Sequence, residues 1–177
     1  MTRTEKDKKL AELILYIASR CERARYFGKT KLNKVLFYAD FLYYKKTGAS
    51  ITGQEYMRLE QGPAPRRMMP VVEELKGARL AFRTEHLFGR VQERPLAIAE
   101  PDLTLFSGDQ IAMVNEIIEA FWDQTGKAVS DLSHDLPGWQ LAEDGETIPY
   151  PTIFLSDRPL SEAELDHGKR LAVELGL

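Results

Sequence analysis

The sequence predicts a mostly α fold with a small antiparallel β-sheet, of the α+β class, as a single compact domain over residues 1–177 built round a central helix near residues 30–47. Three observations lead there. Apolar residues recur at three- and four-residue spacing in several separate segments. One longer stretch, Leu80 to Ile98, has a strand-forming pattern instead. A chain of 177 residues with 44% hydrophobic content is large enough to bury one core.

The elements follow in order. A first helix is expected from Glu5 to Arg23, with Leu10, Leu13, Ile14, Ile17 and Cys21 at helical spacing. Thr30 is placed to cap the second helix and Gly48 to close it. Glycines and prolines then punctuate a short extended segment around Glu55 to Glu60. A third helix is expected from Arg67 to Lys76, ended by Gly77. Strands over Leu80 to Ile98 turn at Phe88 to Arg90. Ser107 and Gln110 have capping-box spacing before a helix whose stripe is Ile111, Val114, Ile118, Phe121 and Trp122. Ser130 is a candidate cap for a shorter helix. The segment "TIPYPTIFL" reads as a loop or an edge strand interrupted by Pro149 and Pro151. Ser161 caps a final amphipathic helix.

Composition narrows the class. The single cysteine, Cys21, excludes an internal disulfide framework and fits a reducing cytosol. No apolar run approaches the roughly 20 residues of a membrane span, so a soluble, cytoplasmic protein without membrane contact is expected. The net charge of −3 conceals an asymmetry. Met1 to Arg90 holds 19 Lys and Arg against 10 Asp and Glu, whereas the remainder holds 5 against 17. The basic half suits phosphates or an acidic partner and the acidic half a basic one, unless folding mixes the two.

The central helix is apolar on too many sides for a surface helix. Leu32, Val35, Leu36, Ala39, Leu42 and Tyr43 form one broad stripe, and Phe37, Phe41 and Tyr44 lie almost opposite. Asn33 and Asp40 hold a narrow polar edge, with Tyr38 on one flank. Such a helix is either packed on both faces or docks a partner through its aromatic face.

Chemistry-bearing patterns are sparse. His86, His134 and His167 lack metal-ligand spacing, and no metal site or cofactor is expected. His134 and Asp135 are sequence neighbours on a helix and point about 100° apart, so His134 reads as structural, bonded to backbone near Trp139. Cys21 reads as an inert core thiol. Gly48, Gly53 and Gly62 do not form a phosphate-binding loop. In "QGPAPRR", Gly62 permits unusual backbone angles and two prolines stiffen the approach to Arg66 and Arg67. That segment is a rigid turn, or a shaped contact loop carrying two guanidinium groups for an acidic partner. No catalytic residues are indicated.

The stretch from Lys31 to Pro65, "KLNKVLFYADFLYYKKTGASITGQEYMRLEQGPAP", resembles the signature of the Panacea domain, the SocA-like antitoxin family. That signature is a helix of Lys-Leu-x-Lys-Leu-Leu-Tyr-Phe-Ala type, a Gly-rich turn, an extended segment and a Gly-Pro-x-x turn. Lys31, Leu32, Lys34, Tyr38 and Ala39 stand at its helix positions. A second block, "DLSHDLPGW", echoes the family's Leu-Ser-to-His stretch leading to Pro and Trp, through Ser133, His134 and Trp139. Ala64 stands where a valine is usual, and Ser133 abuts His134 without the commoner threonine and spacer. The resemblance spans residues 5–143 and leaves 145–177 as a C-terminal extension with its own helix.

The resemblance implies an antitoxin of a bacterial or phage-associated toxin–antitoxin system, non-enzymatic and without cofactors, that neutralises its toxin by direct protein–protein contact. Its partner is then a cognate toxin protein encoded by a neighbouring gene. The expected contacts are Phe37, Phe41 and Tyr44 where exposed, with Gly62, Pro63, Arg66 and Arg67 on the turn. A second reading is a DNA-binding operon autorepressor using the basic N-terminal half. Neither the toxin nor an oligomeric state is specified by the pattern.

Overall fold

The structure, a computed structural model, describes residues 1–87, 89–156 and 161–175. The first helix, α1 (Arg3–Arg20), starts earlier than its apolar spacing suggests, because Thr2 and Glu5 form a capping box. It ends three residues sooner than expected. Beyond it the chain turns, and the buried Arg94 guanidinium donates to the carbonyls of Cys21, Glu22, Ala24 and Arg25 in place of a continued helix.

Helix α2 (Lys29–Thr47) is the centre of the fold. Its N-cap is Gly28 and not Thr30, which lies in the first turn and donates its hydroxyl to Gln61 Oε1 at 3.2 Å. Gly48 closes it as expected, at φ +79° with its N–H on Tyr44 O. After the extended segment, α3 (Met68–Leu75) is followed by Lys76 and Gly77. The capping box of Ser107 and Gln110 opens α4 (Gly108–Ala120), and Trp122 falls just beyond that helix. Helix α5 (Gly126–His134) is capped by Thr125. Ser130 is inside it, and its hydroxyl is turned instead to Gln61 O at 2.6 Å. A short α6 (Pro137–Leu141) follows. Ser161 accepts the Glu164 N–H at 3.4 Å and starts α7 (Glu162–Leu175) as expected.

The strands form two antiparallel sheets where one was expected. Strands β1 (Tyr56–Met57), β2 (Ala64–Pro65) and β5 (Thr147–Ile148) make a small sheet in the order β2-β1-β5. Strands β3 (Leu80–Leu87) and β4 (Arg90–Ala97) pair as a hairpin from Leu80–Ala97 to Leu87–Arg90. Phe88, in the expected turn, lies outside the described residues. The proline-interrupted segment supplies β5 and then a 3-10 turn over Tyr150–Phe154.

Two apolar clusters meet on α2. Leu32, Val35, Leu36 and Ala39 join the main core with α1, α3 and α4, whose buried contributors include Ile14, Val71 and Val114. Phe37 and Phe41 join a second cluster with Tyr56, Ala142 and Ile148. Their rings stand 4.2 Å apart, and Phe41 lies 4.5 Å from Tyr150 and 5.6 Å from Tyr56. Both are 1% exposed, so the helix is packed on both faces and these two rings are not a solvent-facing surface. Tyr44 is half-buried at the edge of the same stack, against Tyr150 and Phe154. Truncation of Phe41 to alanine is expected to cost about 3–5 kcal/mol in urea unfolding. A loss under about 1 kcal/mol would show that the second cluster is not a true core.

Candidate functional site

Helix α2 buries three charged side chains, and each ties down a different segment. Lys31 donates to the carbonyls of Phe121 at 2.6 Å and Trp122 at 3.1 Å. It thus closes the C-terminal end of α4, where a cation meets the negative end of the helix dipole. Burial holds its ammonium below the usual lysine value. Asp40 accepts from the Thr52 N–H at 2.8 Å, the Thr52 hydroxyl and the Tyr56 hydroxyl at 2.8 Å. Burial raises its carboxyl above the ordinary value, with those donors opposing the rise.

Lys34 differs from both. It is 1% exposed, and its only hydrogen bond among the described residues is to Pro63 O at 3.2 Å. Burial alone pushes its ammonium down to about 7. It lines a cleft of about 350 Å³ between α2 and the segment from Leu59 to Ala64, with Asp144 on the far side. Asn33 lines the same cleft, and its Oδ1 is buried without a partner.

Gly62 fixes the shape of this place. It sits at φ +88°, and a Cβ there would meet Ser133 Oγ and, at 2.7 and 2.8 Å, Lys34 Cε and Nζ. Only glycine lets the turn close over the lysine. Pro63 is buried and presents the carbonyl that holds Lys34. Ser133 is buried beneath the turn and donates to Ser130 O at 2.6 Å, so its hydroxyl is engaged within its own helix. Beside it, His134 stacks on Trp139 with centroids 4.1 Å apart. The backbone bond expected for His134 is not there, since its Nε2 is buried without a partner. Trp139 instead donates to Leu59 O at 3.2 Å, and Arg58 covers its ring at 4.2 Å.

The two arginines of the turn have separate positions. Arg67 clasps Asp7 of α1 through Nε and Nη2 at 3.1 and 2.9 Å, which draws that carboxyl below its usual range against the opposing effect of burial. Arg66 is exposed and reaches Gly145 O at 3.0 Å and Thr147 Oγ1 at 2.9 Å. Leu32 and Ala39 are core residues, and Tyr38 packs edge-on to Phe37 and Phe121, with its hydroxyl pushed up to about 12 by burial. Sequence reading missed Leu59, Glu60, Gln61 and Asp144, because Asp144 lies 83 to 85 positions from the other three and carries no shared period with them. The readable signal was Lys34 itself, a lysine between the apolar residues Leu32, Val35 and Leu36.

The lone Cys21 is in the core, its thiol pushed up to about 12 by burial. Among the described residues no group of three or more His, Cys, Asp and Glu could hold a metal ion, and no helix is long and apolar enough to cross a membrane. The folded chain also mixes its charged halves, through Lys8 with Asp102 and Lys29 with Glu93.

The scaffold is mostly helical, of the α+β class, and carries a charged cleft under a rigid turn. Residues 32–140 match the family model described as antitoxin SocA-like, Panacea domain. That span is more than half of the chain and contains all of the cleft except Thr30 and Asp144. The chain belongs to this SocA-like antitoxin family. No curated protein and no solved structure matches it.

Two outcomes test this geometry. Gly62→Ala should destabilise the fold by roughly 1–3 kcal/mol, from overpacking and the positive φ, in thermal or denaturant unfolding. Lys34→Met should stabilise it near pH 6, because the charged form is buried in the wild type at a cost on the order of 5 kcal/mol, against about 1–3 kcal/mol for the orphaned Pro63 carbonyl. The folded state lowers the lysine pKa from 10.5 to about 7. The unfolded chain therefore binds more protons between those values, and wild-type stability rises with pH across that window. The advantage of Lys34→Met should shrink over the same range and be gone near pH 10.

Proposed function

We propose that this protein is the antitoxin of a bacterial or phage-associated toxin–antitoxin pair and neutralises its toxin in the cytoplasm by direct protein–protein contact. The observation that carries the reading is the family match over residues 32–140, which takes in α2, the Gly62–Pro63 turn and the His134–Trp139 stack. The partner is a toxin protein encoded by the neighbouring gene, and inhibition is by occupancy, without a chemical step.

The surface assigned to the toxin is the cleft and its surroundings. Gly62 and Pro63 shape it, and Arg66 offers an exposed guanidinium beside it. Tyr44 borders a second, apolar part, where Phe154 is 58% and Leu155 49% exposed. Exposed apolar side chains of this size are what interfaces use as anchors. Phe37 and Phe41 contribute as the packed support beneath this face, and Arg67 by bracing the turn against α1 through Asp7. The unit proposed to act includes residues 145–156, since β5 pairs with β1 and Tyr150 stacks on Phe41.

Co-expression with the neighbouring gene product should restore growth and yield a complex that co-purifies. Arg66→Ala and Tyr44→Ala should each weaken that complex by about tenfold while leaving the melting temperature within a few degrees of wild type. A neighbour that is harmless alone, or toxic and not rescued, overturns the reading. Binding to operator DNA with a steep salt dependence would then replace it.

A further inference from the structure

We propose that the cleft floored by Lys34 is a socket for an acidic side chain of the toxin, an Asp or Glu with a Lys or Arg beside it in the sequence. The inference rests on the antitoxin reading above and specifies the chemistry of the contact.

The floor requires an anion. An ammonium has three donors, and Lys34 uses one, on Pro63 O. Among the described residues no carboxylate lies within ion-pair distance of it, whereas Lys31 and Asp40 on the same helix are each held by several partners. A buried charge without a counter-ion is costly, and an entering carboxylate removes that cost. The cleft is roughly ten times the ~30 Å³ share of one water, so a carboxylate side chain fits with part of its backbone.

Two further features restrict the occupant. Asn33 lines the same cleft and has a buried, unpartnered Oδ1, an acceptor that a rotation of the side chain would turn to the backbone N–H of the inserted residue. Glu60 and Asp144 line the cleft from its exposed side, where they would repel an isolated anion. A cation next to the acid in the partner's sequence answers both carboxylates and turns repulsion into complementarity. The other lining residues carry no charge, so Glu60 and Asp144 are the titratable groups that share the cleft with Lys34.

The test is the dissociation constant of the complex with the neighbouring gene product at pH 6.5, 7.5 and 8.5. Affinity should fall as pH rises above about 7, by up to tenfold per pH unit, because the ion pair requires a protonated Lys34. Lys34→Met should weaken binding at pH 6.5 by at least about 30-fold and flatten that profile. Asn33→Asp, which adds a negative charge to the cleft lining and leaves the lysine in place, should also weaken binding. One Glu→Gln or Asp→Asn variant of the toxin should match the loss and add nothing to Lys34→Met. A folded Lys34→Met protein that binds as wild type, with an unchanged pH profile, overturns the inference and leaves the antitoxin reading intact. Displacement of the toxin by free glutamate or free lysine would make the cleft a small-molecule pocket and also overturn it. Absence of both rescue and complex removes the two readings together.

Discussion

Three buried charges on one helix organise this fold. A Lys31, Lys34 or Asp40 replaced by an apolar residue of similar volume would in general pack as well or better, so their presence is not explained by core stability. Each instead reaches a backbone that the hydrophobic pattern cannot position. Lys31 holds the end of α4, Lys34 the Gly62–Pro63 turn, and Asp40 the loop at Thr52 with the Tyr56 hydroxyl. The helix is thereby the anchor for three loops as well as the centre of two cores. Loss of one anchor frees a segment from a fixed place on α2, a more local effect than a cavity in the core.

The same economy shapes the surface. The basic half of the chain does not emerge as one basic face, because many of its cations are engaged in the fold. Arg67 and Arg79 are tied to Asp7 and Glu12, and Lys31 and Lys34 are inside. Arg94 from the acidic half gives its guanidinium to the loop that follows α1 and to Glu85. The exposed side chains are mixed in character: the acids Glu60 and Asp144 at the cleft, Arg66 on the turn, and the apolar side chains near Tyr44. A mixed, partly apolar surface suits a protein partner better than a phosphate backbone.

Local chemistry made much of the fold legible. The Ser107–Gln110 box, the Ser161 cap and the Gly48 terminus were readable because each depends on residues within four positions. Thr30 and Ser130 misled for a long-range reason. Both hydroxyls are taken by Gln61, so the side chains that locally could cap a helix are used to hold the turn. The burial of Phe37 and Phe41 was equally out of reach. Their cover comes from Tyr56, Ile148 and Tyr150, and no periodicity in α2 announces which remote segment will lie on it. Two-residue strands such as β1, β2 and β5 are too short to show alternation.

Three unusual features meet at one place. A lysine without a counter-ion, an asparagine oxygen without a donor and a glycine held at positive φ all meet in one cleft. Departures of this kind are costs to folding, and a core free to optimise would remove them by simple substitutions. Random drift would spread them through the molecule, each relieved by its own neighbours. Here any side chain added at Gly62 would meet both Ser133 and Lys34, so the turn cannot change without its neighbours. A fold that keeps an uncompensated positive charge at the bottom of an open cleft has an energetic reason to accept a negative group there. On the proposed reading, the driving force for recognition is stored in the free protein and released when the partner supplies the missing charge.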